Sequence, residues 1–424
     1  MTKLINKITI LFFIISVFSA PIADAKVKEV SGKPGTLTVN AKAALVADST
    51  TGQILAEKNS QETMPIASLS KMVTAYILLE QINNGKLNWD DKITIDENTA
   101  SISRNKELTN IELAVDMEYR VGDLFDATMD ISTNATAIAL GNAVAENNAN
   151  FANMMNDKVR SWGIEDANFI NAAGLDNSEM EKEGLENVDK TVESTASAQD
   201  LAIIATRLFN DFPQIIEVMH RDTISFTHPN GKVDHVKSMI TWANEHLKDS
   251  GVQYLAGKNG SSEGAGTVFV GLTDSLGQNR QLITVIMNSS DYRDPLPGFD
   301  QSVDILKQTM DQWSPYSIEA GSKLKGAEKI KMLNTEAKEI PVHVGQTRFY
   351  WIRNQGVDPV FELGMSSQTE VKVGDVLLTG LPDNFKDLKF LTGFEQNGDI
   401  TFVAEKASKV SDKWYGSFLR RIGL

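Results

Sequence analysis

Met64-Pro65-Ile66-Ala67-Ser68-Leu69-Ser70-Lys71-Met72-Val73-Thr74-Ala75-Tyr76 opens a strong helical pattern that Asn83-Asn84-Gly85 closes. With Pro65 near its start, the pattern predicts one helix over 64–84. The spacing of three then puts Ser68 and Lys71 on a single face, about one turn apart. A serine hydroxyl is a weak nucleophile at neutral pH and needs a base beside it, and a neutral lysine amine can serve. Burial, a second nearby cation and the positive end of a helix all lower a lysine pKa. Alone the tetrad carries little, because it fits a capping serine beside a solvated lysine just as well.

Two later stretches give it weight. Ser132-Thr133-Asn134 follows a helical pattern over 121–131, and Lys258-Asn259-Gly260 precedes an apolar strand pattern over 266–272. Ser-x-x-Lys, Ser-Asp-Asn and Lys-Thr-Gly form one constellation in β-lactamases and penicillin-binding proteins. The three stretches stand at 68, 132 and 258, so only the fold can bring them together. With them the chain resembles the low-molecular-weight penicillin-binding proteins of the D-alanyl-D-alanine carboxypeptidase family. Asp48-Ser49-Thr50-Thr51-Gly52, the segment 151–156 with Trp162-Gly163-Ile164, the segment 169–175, and Ser194-Thr195-Ala196 with Asp200-Leu201 extend the likeness over 26–313.

That resemblance implies an α/β (α+β) fold of the β-lactamase/transpeptidase type, with an antiparallel sheet flanked by helices and a helical subdomain. It implies Ser68 as nucleophile, Lys71 as base and Ser132 as proton relay. Asn134, Lys258, Asn259, Gly260 and Ser261 would bind substrate, with the backbone N–H groups of Ser68 and Ser261 receiving the oxyanion. The implied substrate is a peptidoglycan stem peptide ending in D-Ala-D-Ala, with β-lactams as inhibitors that acylate Ser68. Two departures stand out. Asn259 replaces the usual Thr or Ser and offers the substrate carboxylate a longer, planar amide. Ala135-Thr136 follow the second motif, where an Asp after the Asn is common in the family.

The rest of the chain bounds these readings. Its 424 residues allow two or three domains. With 41 Lys and Arg against 56 Asp and Glu, the net charge is −15 and no nucleic-acid partner is expected. The absence of cysteine removes disulfides, thiol catalysis and Cys-ligated metals. No metal or other cofactor is expected. Lys3 and Lys7, an apolar run over 8–18 and Ala23-Asp24-Ala25 read as a signal peptide over 1–25, hence export to the outer face of the cytoplasmic membrane. A catalytic domain is expected over 26–315. A small all-β domain follows over 316–404, with strands near 340–344, 348–352, 360–363, 370–373 and 400–404. Over 405–424, Val410, Trp414, Phe418 and Ile422 recur every four residues, while Lys406, Lys409, Lys413, Arg420 and Arg421 oppose Asp412. This predicts an amphipathic helix lying on an anionic membrane surface.

Competing signals are weaker. Gly260-Ser261-Ser262-Glu263-Gly264 matches a nucleophile elbow, but a strand pattern follows it rather than a helix, and only His343 lies downstream. The run around Gly251–Lys258 is one residue too long for a phosphate loop. His220, His228, His235 and His246 lack ligand spacing. Glu179, Glu181, Glu183 and Glu186 are compatible with a β-lactamase general base and read better as a solvated loop face. A non-catalytic penicillin-binding or wall-scaffolding protein with a degenerate third motif stands as the alternative function, ahead of a serine β-lactamase.

Overall fold

A computed structural model of the chain describes residues 33–353, 359–361 and 363–411. The signal-peptide segment and the last residues of the basic end, 412–424, lie outside it. The centre is an antiparallel sheet built from β1 (Ala43–Asp48), β2 (Gln53–Lys58), β3 (Tyr254–Ser262), β4 (Gly266–Asp274) and β5 (Gln281–Met287), in the order β2-β1-β5-β4-β3. The hairpin β1–β2 turns on Asp48, whose Oδ1 accepts the N–H groups of Thr50 and Thr51 at 3.0 and 2.7 Å. This N-terminal hairpin pairs with β5, Ala43 opposite Met287 and Asp48 opposite Leu282, so both ends of the catalytic segment meet in one sheet.

The inner strands β1, β4 and β5 are buried on both faces, which explains their apolar runs in sequence, whereas β3 turns one face to the cleft. Ala43, Leu45 and Ala47 enter one core, and Ala44 and Val46 the other. Over the first face lie α1 (Lys71–Asn83), α2 (Asn134–Ala145) and α3 (Ala198–Asp211). Behind the sheet lie α4 (Met239–His246), α5 (Leu296–Met310) and the C-terminal β unit.

The single helix expected over 64–84 is divided. Met64–Pro65 is a short strand paired with Thr195–Ala196, Ala67–Ser70 is a 3-10 turn, and only then does α1 begin. Pro65 has no N–H to give to a helix, and the Ile66 N–H goes to the Ser194 carbonyl at 3.0 Å. The helix α5 carries Pro297 in its first turn, where the missing N–H costs no intrahelical hydrogen bond. In the C-terminal unit, Lys329–Met332, Glu339–Val344, Met365–Ser366, Val376–Gly380 and Ile400–Ala404 form one sheet. Neither 360–363 nor 370–373 is a strand among the described residues. Val371 makes only an isolated bridge to Ser408, next to a turn closed by the Lys372 N–H on Asp375 at 2.7 Å. Lys406–Ser411, expected to open the terminal helix, instead run along this unit, with bridges at Ser408 and Val410.

The C-terminal unit is fastened to the central sheet. Lys389–Phe390 pairs with β2 at Ile54 and Gln53, and Gly35–Thr36 covers the rest of that edge at Ala56 and Glu57. Trp351 is 1 % exposed; its indole N–H donates to Asp48 at 2.8 Å, and its backbone exchanges two 2.8 Å hydrogen bonds with the Gln53 amide.

Candidate active site

Ser68 lies in the 3-10 turn and Lys71 begins α1, so the backbone tightens just where the two side chains must meet. Ala67 immediately before Ser68 has φ +45°, a left-handed conformation unusual for alanine. The Lys71 Nζ lies 2.9 Å from the Ser68 Oγ, 2.7 Å from the Asn134 Oδ1 and 2.7 Å from the Ala173 carbonyl. A neutral amine has two N–H groups and one lone pair. The Asn134 and Ala173 oxygens can only accept, so they take the two N–H groups and leave the lone pair facing the Ser68 hydroxyl. Lys71 is fully buried, and burial pushes its pKa well below the ordinary lysine value; the Lys258 charge pushes the same way, while Glu179 opposes.

The second motif follows a single π-helical stretch, Ala127–Ile131, after which Ser132 is left-handed at φ +69°. The Asn110 Oδ1 accepts the N–H groups of Asn134 and Ala135 at 3.2 and 2.9 Å, tying the start of α2 to the preceding loop. Lys258, on β3 and 1 % exposed, donates to the Ser132 Oγ at 2.7 Å and to the Asn259 carbonyl at 2.8 Å. Burial lowers its pKa to about 7. The second motif thus touches both lysines, Asn134 holding Lys71 and Ser132 receiving Lys258.

Ser68, Ser132, Asn134, Asn259, Gly260 and Ser261 line one cleft of about 790 Å³. At Gly260 a Cβ would come within 2.9 Å of the Ser68 backbone N, so glycine lets β3 close on the nucleophile turn. All eight residues singled out in the sequence therefore gather in or directly beneath this cleft.

Sequence reasoning missed several contributors. The Ala173 carbonyl, which orients Lys71, sits in a tight turn whose N–H groups at Ala173, Gly174 and Leu175 all point to the Asn171 Oδ1, at 3.1, 2.7 and 3.1 Å. Gly174 has φ +79°, and a Cβ there would lie 1.8 Å from the Ala67 carbonyl oxygen. The pattern Asn-x-x-Gly was the available signal, but it identifies a turn and not the amine that its carbonyl meets. Asp130 is 2 % exposed on the cleft wall, and among the described residues neither carboxyl oxygen has a hydrogen-bond partner. Burial, reinforced by Asp126, pushes its pKa up to about 8.

The competing motifs separate. Ser262 is on β3 and donates to Glu193 at 2.6 Å, with no histidine in that contact. His220, His228, His235 and His246 each face a different partner, namely Leu255, Asp234, Ser225 and Asp300. Of the acidic run, Ser101 donates to Glu181 and Asn142 to Glu183, whereas Glu179 is half-buried on the cleft wall and so departs from the solvated face expected for it.

The chain is 26% identical over 258 residues to the D-alanyl-D-alanine carboxypeptidase DacA of Haemophilus influenzae, covering 60% of this chain and 58% of that protein. It is 28% identical over 200 residues to the D-alanyl-D-alanine carboxypeptidase DacF of Bacillus subtilis, covering 47% and 46%. The chain thus spans about half the length of these curated relatives. The crystal structure of a peptidoglycan synthesis regulatory factor from Streptococcus pneumoniae shares the fold, with TM-score 0.71, 24% identity, and coverage of 88% of this chain and 100% of that one. Residues 27–291 match the family model of D-alanyl-D-alanine carboxypeptidases, and the chain belongs to that family.

Proposed function

We propose that the protein is an exported serine-type D-Ala-D-Ala carboxypeptidase that trims the terminal D-alanine from peptidoglycan stem peptides through an acyl-enzyme on Ser68. The observation that carries this reading is the Lys71 amine, buried, 2.9 Å from the Ser68 hydroxyl, with its other two contacts going to carbonyl oxygens. The Ser68 Oγ attacks the penultimate carbonyl and its proton passes to the Lys71 Nζ. The oxyanion is received by the backbone N–H groups of Ser68 and Ser261, an arrangement that the close approach at Gly260 supports. As the C–N bond breaks, Ser132 relays to the departing amine the proton that Lys71 took from Ser68, leaving Lys71 neutral again, and Lys258 provides positive charge for the substrate carboxylate beside Asn259. Asn134 holds both Lys71 and the amide side of the substrate. A β-lactam, which mimics the D-Ala-D-Ala strand, acylates Ser68 by the same route.

The reading also assigns 26–315 to the catalytic domain and 316–404 to the β unit, with a cleaved leader over 1–25. The basic, amphipathic end provides peripheral attachment to the membrane; among the described residues no helix is long and apolar enough to span one. Removal of 412–424 is expected to move the protein to the soluble fraction, and unchanged fractionation counts against the anchor. The decisive assay is release of D-alanine from an N-acyl-Lys-D-Ala-D-Ala peptide, abolished by Ser68→Ala. No release by the purified wild-type chain rejects the enzyme and leaves the scaffolding alternative, for which Asn259 is the specific motive.

A further inference from the structure

Deacylation needs a base for the attacking water, and the eight residues above leave that group unassigned. We infer that Glu179 is that base, a carboxylate carried by the Asn171–Glu179 loop onto the wall of the cleft that Ser68 lines. The inference deepens the carboxypeptidase reading and rests on it.

The loop is anchored by the catalytic element itself. Lys71 holds the Ala173 carbonyl at 2.7 Å, Gly174 packs on the Ala67 carbonyl one residue before the nucleophile, and the Thr74 hydroxyl donates to the Ala172 carbonyl at 2.7 Å. From that anchor the chain turns within a few residues to Glu179. The Asp176 Oδ1 accepts the Glu179 N–H at 2.9 Å, and the Asp176 N–H donates to the Glu179 Oε2 at 3.0 Å. This reciprocal pair fixes the side chain and satisfies one carboxylate oxygen. The other, Oε1, takes no hydrogen bond from any described residue. Glu179 and Ser68 line the same cleft, and the electrostatic influence of Glu179 and Lys71 on one another runs in both directions. Of the four acidic residues 179, 181, 183 and 186, Glu179 alone among the described residues lines this cleft.

The step balances. Water adds to the acyl carbonyl while its proton passes to the Glu179 carboxylate, giving a tetrahedral species with its oxyanion between the Ser68 and Ser261 N–H groups. The bond from the carbonyl carbon to the Ser68 Oγ then breaks, and the proton held by Glu179 returns to that oxygen, directly or through Lys71. Free serine, free carboxylate and a carboxylic acid product result, with no co-reactant beyond water. Acylation does not use this carboxylate, because Lys71 already accepts the Ser68 proton.

The test separates formation of the acyl-enzyme from its loss. Wild-type chain, Glu179→Gln and Glu179→Asp are exposed to benzylpenicillin, and the Ser68 adduct is followed by intact mass spectrometry as it forms and after unbound drug is removed. Glutamine keeps an acceptor for the Asp176 N–H, so the loop is retained; far-UV circular dichroism and Tm check this. The expected result is an adduct on Glu179→Gln that forms within about threefold of the wild-type rate and persists roughly 10²-fold longer, with partial recovery in Glu179→Asp. Peptide substrate is expected to accumulate as acyl-enzyme on Glu179→Gln alone. Equal adduct lifetimes, or formation and loss slowed in step, overturn the inference while leaving the carboxypeptidase reading intact. No adduct on the wild-type Ser68 overturns both.

Discussion

At the scale of single residues, the cleft is governed by charges held where water cannot reach them. Lys71 and Lys258 are both buried, and each has its pKa lowered by that burial. Protonation of Lys71 removes the base, so kcat/KM falls on the acid side as pH drops through its lowered pKa. Deprotonation of Lys258 above about 7 removes the charge that receives a carboxylate, so kcat/KM falls on the alkaline side too. Lys258→Arg, which stays charged, is expected to flatten only the alkaline limb of the pH–rate profile; persistence of that limb would remove Lys258 from carboxylate binding. Asp130 runs the opposite way. Its folded pKa of about 8 exceeds the ordinary 3.8, so the folded state binds a proton that the unfolded state has released. Stability from this group is full below about pH 4 and is lost as pH rises toward 8. Asp130→Asn removes that loss and is expected to stabilise the chain by about 1–3 kcal/mol at pH 8, with little gain at pH 4, as read by Tm at the two pH values.

At the scale of elements, the site depends on backbone conformations that ordinary helix and strand geometry does not supply. Ala67 and Ser132 are left-handed, a π-turn precedes the second motif, and Gly174 sits against the nucleophile turn. Gly174 shows why such positions resist change. Its positive φ disfavours a side chain, and the only space for a Cβ is occupied by the Ala67 carbonyl. Gly174→Ala is expected to cost at least ~1–3 kcal/mol and to displace the Ala173 carbonyl from Lys71. Slower acylation of the variant by benzylpenicillin, together with a lower Tm, is the expected pair of readouts; an unchanged acylation rate would show that Lys71 is oriented without this loop.

At the scale of the whole molecule, the C-terminal β unit shares the back core of the catalytic sheet and covers the edge of β2. Trp351 joins the two, through packing and through its bonds to Asp48 and Gln53. Asp48 is also held by Arg280 at 2.7 Å through two nitrogens, so one buried carboxylate ties the first strand, the residue leading into the fifth and the C-terminal unit. Trp351→Ala is expected to cost ~3–5 kcal/mol and to lower the Tm of the catalytic part as well as of the β unit. Thermal unfolding that leaves the catalytic transition untouched would mean that the two units are stabilised independently.

How much of this was legible follows from the range of each interaction. The Ser68–Lys71 spacing, the apolar strand pattern over 266–272 and the three motifs could be read because each depends on neighbours within a few residues. The break at Met64–Pro65 could not, since it is set by pairing with Thr195–Ala196, far along the chain. Nor could the position of Glu179: the acidic run 179–186 is compatible with a general base but reads better as a solvated face, and only the folding of the loop against Lys71 puts Glu179 on the cleft wall. The sequence by itself determined the chemical types at the site and the local turns that present them. Only the tertiary structure decided which carbonyls take the Lys71 protons, which carboxylates are stripped of water, and which strand closes over the nucleophile. Nucleophilicity and pKa are set by burial and by the few groups within hydrogen-bond reach, and in this chain those groups come from segments dozens to nearly two hundred residues apart.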